Sequence, residues 1–68
     1  MARDVASLLQ RLGLNPPAAA RLLGVQPRVV QHWIKGERPI AEPTWRLLLL
    51  AAEVPAALAR LRQLAAIT

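Results

Sequence analysis

Along the chain, apolar residues recur with a helical period and are interrupted by glycine or proline. Val5, Leu8, Leu9 and Leu12 follow the i, i+3, i+4, i+7 spacing of one helix face. This predicts a first helix from Asp4 to Leu12, with Asp4 as its N-cap and Gly13 as a left-handed stop. A second helix is expected to open at Asn15-Pro16-Pro17, where prolines in the first turn forfeit no helical hydrogen bond, and to close at Gly24. The third opens at Gln26-Pro27 and closes at Gly36. After a loop from Glu37 to Glu42, Pro43 begins a fourth. Its segment TWRLLLLAAEV is apolar around most of its circumference, as suits a helix buried between others or lying at an interface. Pro55 ends or kinks it, and PAALARLRQLAAIT supplies a fifth, with Leu58, Leu61, Leu64 and Ala65 as its stripe. The expected fold class is all-α: a single compact domain over residues 1–68, built as a bundle of about five short helices.

The third helix divides most cleanly. At about 100° per residue, Val29, Val30, Trp33 and Ile34 gather on one side, and Arg28, Gln31, His32 and Lys35 on the other. Burial accounts for the first set. The second set consists of groups that suit a DNA groove: Arg can engage two acceptors of guanine, and Gln can pair with the donor and acceptor of adenine. His can donate or accept, and Lys brings a mobile positive charge. Val29, on the border near the helix start, is placed to touch a thymine methyl. A polar helix face is most often simply solvated. Here the short turn before the helix, the small residue Ala20 where two helices must cross, and the basic segment after Gly36 favour a binding role.

Composition sharpens this picture by exclusion. Sixty-eight residues leave no room for a second core. The chain is 54% hydrophobic but rich in alanine, and its only aromatic residues, Trp33 and Trp45, are expected in the core. With no cysteine there is no disulfide framework and no thiolate for zinc. The longest apolar run, Leu47 to Ala52, is too short to span a bilayer, and the start Met1-Ala-Arg-Asp does not read as a secretory signal. Catalysis is the weakest contender: Asp4 and Ser7 share one helix and His32 sits on another, in no triad or metal-ligand spacing. No catalytic residue, metal or cofactor is therefore expected. A net charge of +5 and a pI near 11.8 point to a polyanionic partner.

Residues 16–36, PPAAARLLGVQPRVVQHWIKG, resemble the helix-turn-helix of the Cro and phage-repressor type, often called XRE-like. In that pattern a small residue is followed four positions later by the turn glycine, as Ala20 is by Gly24. Apolar residues then stand one, six and nine positions beyond the glycine, matched by Val25, Val30 and Trp33. The trailing Gly36-Glu37-Arg38-Pro39 is similar to the family's loop after its recognition helix. The resemblance implies base reading by Gln26, Pro27, Arg28, Val29 and His32, and the exposed face of the helix adds Gln31. It implies phosphate contacts at Lys35 and Arg38, with Arg21 on the outer side of the second helix as a further candidate. Many relatives begin the second helix with Gln. Here Pro16 and Pro17 remove two donors, so the amides of Ala18 and Ala19 are expected to hold the phosphate. Pro27 cannot hydrogen-bond, which shifts base reading toward Arg28 and His32.

The implied activity is sequence-specific binding of double-stranded DNA by a small dimeric regulator, a repressor at a palindromic operator, of phage, plasmid or anti-CRISPR-associated type. Localisation would be cytoplasmic, at the bacterial nucleoid, with no membrane or small-molecule partner. Residues 43–67 are expected to complete the core and to offer Leu58, Leu61, Leu64 and Ile67 for a homodimer contact. The rival reading is a helical protein–protein interaction module, such as an antitoxin or adaptor subunit, without base readout of its own. Single-stranded RNA binding would call for exposed stacking aromatics. Surface attachment to a membrane would call for a basic amphipathic stripe.

Overall fold

Three helices end at glycine, and the reason is geometric. At Gly24 the backbone turns to φ 73°, ψ 31°, a left-handed conformation that disfavours any residue with a Cβ. That turn lets the Val25 amide donate back to the Ala20 carbonyl at 3.0 Å, closing the end of the helix and reversing the chain within three residues. The Leu14 amide closes on Leu9, and the Glu37 amide on His32, in the same way, each at 2.9 Å.

The computed structural model describes residues 3–67, and every regular element in it is helical: α1 (Val5–Leu12), α2 (Pro16–Leu23), α3 (Pro27–Lys35), α4 (Glu42–Glu53) and α5 (Pro55–Ile67). The starts are as chemically specific as the stops. Asp4 caps α1, accepting from the Ser7 amide at 3.0 Å and from the Ser7 hydroxyl at 2.7 Å. Those two hydrogen bonds, the backbone one foremost, hold the Asp4 carboxyl below its ordinary range. Asn15 caps α2, accepting from the Ala18 amide at 2.8 Å. Prolines occupy the first turns of α2, α3 and α4. Helix α4 begins at Glu42, one residue ahead of the expected Pro43. Val54 takes an extended conformation between α4 and α5, so Pro55 starts a new helix rather than kinking the old one.

The core is a single cluster drawn from α1 to α4 and the loops between them: Val5, Leu8, Leu9, Leu12, Leu14, Ala19, Ala20, Val30, Ile40, Leu48 and Ala51. Leu48 and Val30 are completely enclosed. Helices α2 and α3 form the most extensively packed pair; α1 lies against α3 and α4, while α5 leans on α4 and α2. Ala19 and Ala20 of α2 are both fully buried and bring only methyl groups into the core. The radius of gyration, 11.2 Å, agrees with the ~11 Å expected for a chain of this length.

Three expectations change. Trp33 and Trp45 are half-buried, packed against the core from outside rather than within it. Helix α4 is less enclosed than its composition implied: Leu48 and Ala51 are buried, but Leu50 is 50% exposed. The inward side of α5 comprises Ala57, Leu58, Leu61 and Ala65, all partly buried, whereas Leu64 is 55% exposed. Alanine offers too little contrast in hydrophobicity to have fixed the orientation of this helix from sequence.

Arg3 ties the start of the described chain to α4. Its Nη2 pairs with Glu42 Oε1, its Nη1 donates to the Ile40 carbonyl at 3.4 Å, and its guanidinium lies 5.5 Å from the centre of the Trp45 ring. Arg46 Nε donates to Glu42 Oε2 at 3.1 Å. The Arg3 hydrogen bond first, then that of Arg46, holds the Glu42 carboxyl below its ordinary range. A lowered folded-state pKa gives stability that is fully present above the unfolded-state value and is lost as pH falls through the folded value. Glu42→Gln should therefore melt below the parent protein at neutral pH, and the gap should close on acidification. A gap that stays constant down to the acid limb would remove Glu42 from the account.

Candidate nucleic-acid interface

Helix α3 sits at the edge of the bundle because it packs mainly on α2 and α1. Val30 anchors it, fully buried, and Val29, Trp33 and Ile34 are half-buried on the flanks of that contact. This anchoring fixes the rotation of the helix about its axis. On the opposite side Gln26, Pro27, Arg28, Gln31 and Lys35 are all exposed, as is Arg38 in the following loop. Gln26 stands at the N-cap position but its side chain makes no capping hydrogen bond, so its amide group is uncommitted.

His32 departs from the expected arrangement. It belongs to the polar set by spacing, yet its side chain is only 33% exposed, and Nδ1 is enclosed without a hydrogen-bond partner. Nε2 lies 3.9 Å from Glu37 Oε1. The Glu37 and Arg38 amides both close on the His32 carbonyl, at 2.9 and 3.3 Å, which folds residues 37 and 38 back toward that turn. The Nδ1 edge of the imidazole is enclosed, and its Nε2 edge lies toward the Glu37 carboxylate.

A second correction concerns the start of α2. The amides of Ala18 and Ala19, expected to be free for a phosphate, are both taken by Asn15. Ala18 donates to the Asn15 side chain at 2.8 Å, and Ala19 to the Asn15 carbonyl at 2.9 Å. Ala19 is also fully buried. A satisfied donor beneath an alanine is not a phosphate anchor, so any anion grip near α2 falls to Arg21, which is exposed.

Comparison with known protein families, curated proteins and solved structures gives no match for this chain in any of the three.

Of the nine Lys and Arg residues, Arg3 and Arg46 pair with Glu42, and Arg60 donates to Gln63 at 3.1 Å. Arg11, Arg21, Arg28, Lys35, Arg38 and Arg62 have no ion-pair or side-chain hydrogen-bond partner among the described residues. The unpaired cations thus include all those on α2, α3 and the loop after α3. The paired ones lie at the start of the described chain and on α4 and α5. Among the described residues, no three His, Cys, Asp or Glu side chains are placed to hold a metal ion. Nor is any helix long and apolar enough to cross a membrane.

The residues expected at a dimer contact divide. Leu58 and Leu61 pack against the core, while Leu64 and Ile67 are 55% and 80% exposed. Arg62 was not singled out by sequence reasoning. It lines a cleft with Arg21, a neighbourhood created only when α5 docks on α2.

Proposed function

We propose that this protein binds double-stranded DNA sequence-specifically, inserting α3 into the major groove and acting as a small transcriptional regulator that represses by occupying its site. The observation that carries this reading is the rotational setting of α3. Its apolar side is held in the core by the buried Val30, and its exposed side holds Gln26, Arg28, Gln31 and Lys35 without an internal partner for any of the charges. A pair of helices joined by a three-residue turn, the second with such a face, is the arrangement of an XRE-like helix-turn-helix. In this reading Arg28 and Gln31 read base edges, Gln26, Pro27 and Val29 line the entry to the groove, and His32 contributes at most through its Nε2 edge. Lys35, Arg38 and Arg21 hold the phosphate backbone.

Leu64 and Ile67 are what remains of the proposed contact with a second copy. A two-fold dimer would present two copies of α3 about 34 Å apart, one turn of duplex. A protein-interaction module is favoured instead only by the exposed apolar residues Leu50, Val54, Leu64 and Ile67.

Selection of duplexes from a random library decides between these readings. Enrichment of a palindrome is the expected outcome, and its half-site spacing reports the symmetry. Recovery of no preferred sequence would reject base reading by α3. On the enriched duplex, Lys35→Ala or Arg38→Ala should weaken all sequences alike and flatten the dependence of log affinity on log salt by about one unit each. An unaltered slope would show that these cations do not touch phosphate.

A further inference from the structure

Helix α4 turns one stripe to solvent: Glu42, Arg46, Leu50 and Glu53, at i, i+4, i+8 and i+11, with Val54 exposed at its end. Its other side is held in the core by Leu48 and Ala51. The stripe therefore leaves a large apolar side chain, Leu50, half in water between a cation and a carboxylate. Arg46 donates to Glu42 through Nε, and its Nη groups have no partner among the described residues. The Glu53 carboxylate has none there either. No other helix carries a carboxylate within its limits. Helix α5 exposes Leu64 and Ile67 but holds Arg60 and Arg62 with no acid, so two copies of it laid together bring only like charges.

We infer that α4 pairs with α4 of a second copy, antiparallel about a two-fold axis at Leu50, with Arg46 of each copy opposite Glu53 of the other. The order of charges sets the direction. At a rise of about 1.5 Å per residue, Arg46 lies about 6 Å to one side of Leu50 and Glu53 about 4.5 Å to the other. Reversing the partner helix brings cation and carboxylate nearly level, and a two-fold interface makes that contact twice. A parallel pairing would set Arg46 against Arg46 and Glu53 against Glu53. The Leu50 side chains then cover each other at the centre, between the charge pairs. The inference rests on the dimer reading above and moves its seam from α5 to α4; base reading by α3 does not enter it. The contact is one helix wide, so the dimer is expected to be weak and to come apart on dilution.

The test follows mass against concentration by sedimentation equilibrium, without DNA. It compares the parent protein with Leu50→Glu, Leu64→Glu, Arg46→Glu and Glu53→Arg, each shown to be folded by circular dichroism. The parent and Leu64→Glu should associate alike, while Leu50→Glu should stay monomeric. Arg46→Glu and Glu53→Arg each place like charges opposite one another at both ends of the seam, and each alone should raise the dimer dissociation constant about tenfold. An equimolar mixture of these two variants should associate as the parent does, because one copy then offers only carboxylates and the other only guanidiniums. Single variants that associate like the parent, or a mixture no better than its components, overturn the antiparallel pairing. Association lost in Leu64→Glu but kept in Leu50→Glu puts the seam on α5 and overturns the α4 assignment. A monomeric parent protein overturns dimer and seam together, and leaves base reading by α3 to the duplex selection.

Discussion

Leu48→Ala is expected to destabilise the protein by about 2–5 kcal/mol. Leu48 is fully enclosed, from α4, in the cluster formed with α1 to α3 and the intervening loops. Truncation removes the burial of a branched side chain, roughly 1.5–3 kcal/mol, and leaves a cavity that a tightly connected small core can only partly close. A chain of 68 residues has a total stability of roughly 3–10 kcal/mol at the usual per-residue value. The variant should therefore lose a large fraction of its folded population on modest warming. Leu50→Ala, two positions along the same helix but half exposed, should change stability by only about 0.5 kcal/mol. Urea titrations followed by circular dichroism give both values. The midpoint should fall for Leu48→Ala with the slope of the transition unchanged, and similar losses in the two variants would contradict the placement of the core.

The second large effect is on binding. Arg28→Ala should cost about 1–3 kcal/mol on the enriched duplex, roughly a 5- to 150-fold loss, and relax preference at one base pair. Arg28 is exposed in the first turn of α3, without an internal partner, and a guanidinium can satisfy two acceptors of one guanine. His32→Ala should matter less, because Nδ1 is enclosed and only the Nε2 edge remains for a base. Equilibrium titration of both variants against the enriched duplex and single-base-pair variants of it separates the roles. A large loss for His32→Ala beside an intact Arg28→Ala would invert the proposed orientation of α3.

How much of this was legible beforehand depends on whether a signal was local. Helix limits were, because Gly13, Gly24 and Gly36 adopt the positive φ that ends a helix, and prolines stand in the first turns. The anchoring of α3 by Val30 was equally readable, since a clean split of apolar and polar positions admits one rotation. The loss of the Ala18 amide is itself a local matter, because an asparagine at the N-cap position, as Asn15 is, consumes a first-turn donor. The covering of His32 was not local. The enclosure of Nδ1 is a property of the packed side chain that the spacing of polar residues along α3 does not carry. That Arg21 and Arg62 line one cleft was beyond reach from local signals, as it requires the docking of α5 on α2.

No residue of α5 is fully buried, whereas each of the other four helices sends at least one side chain into the core. The last helix is thus held by partial contacts along one side, and a single extended residue, Val54, joins it to α4. Opening a segment requires only the rupture of its own contacts. Amide protons of α5 should accordingly exchange with solvent through a motion that leaves the remaining four helices assembled, giving two levels of opening rather than one.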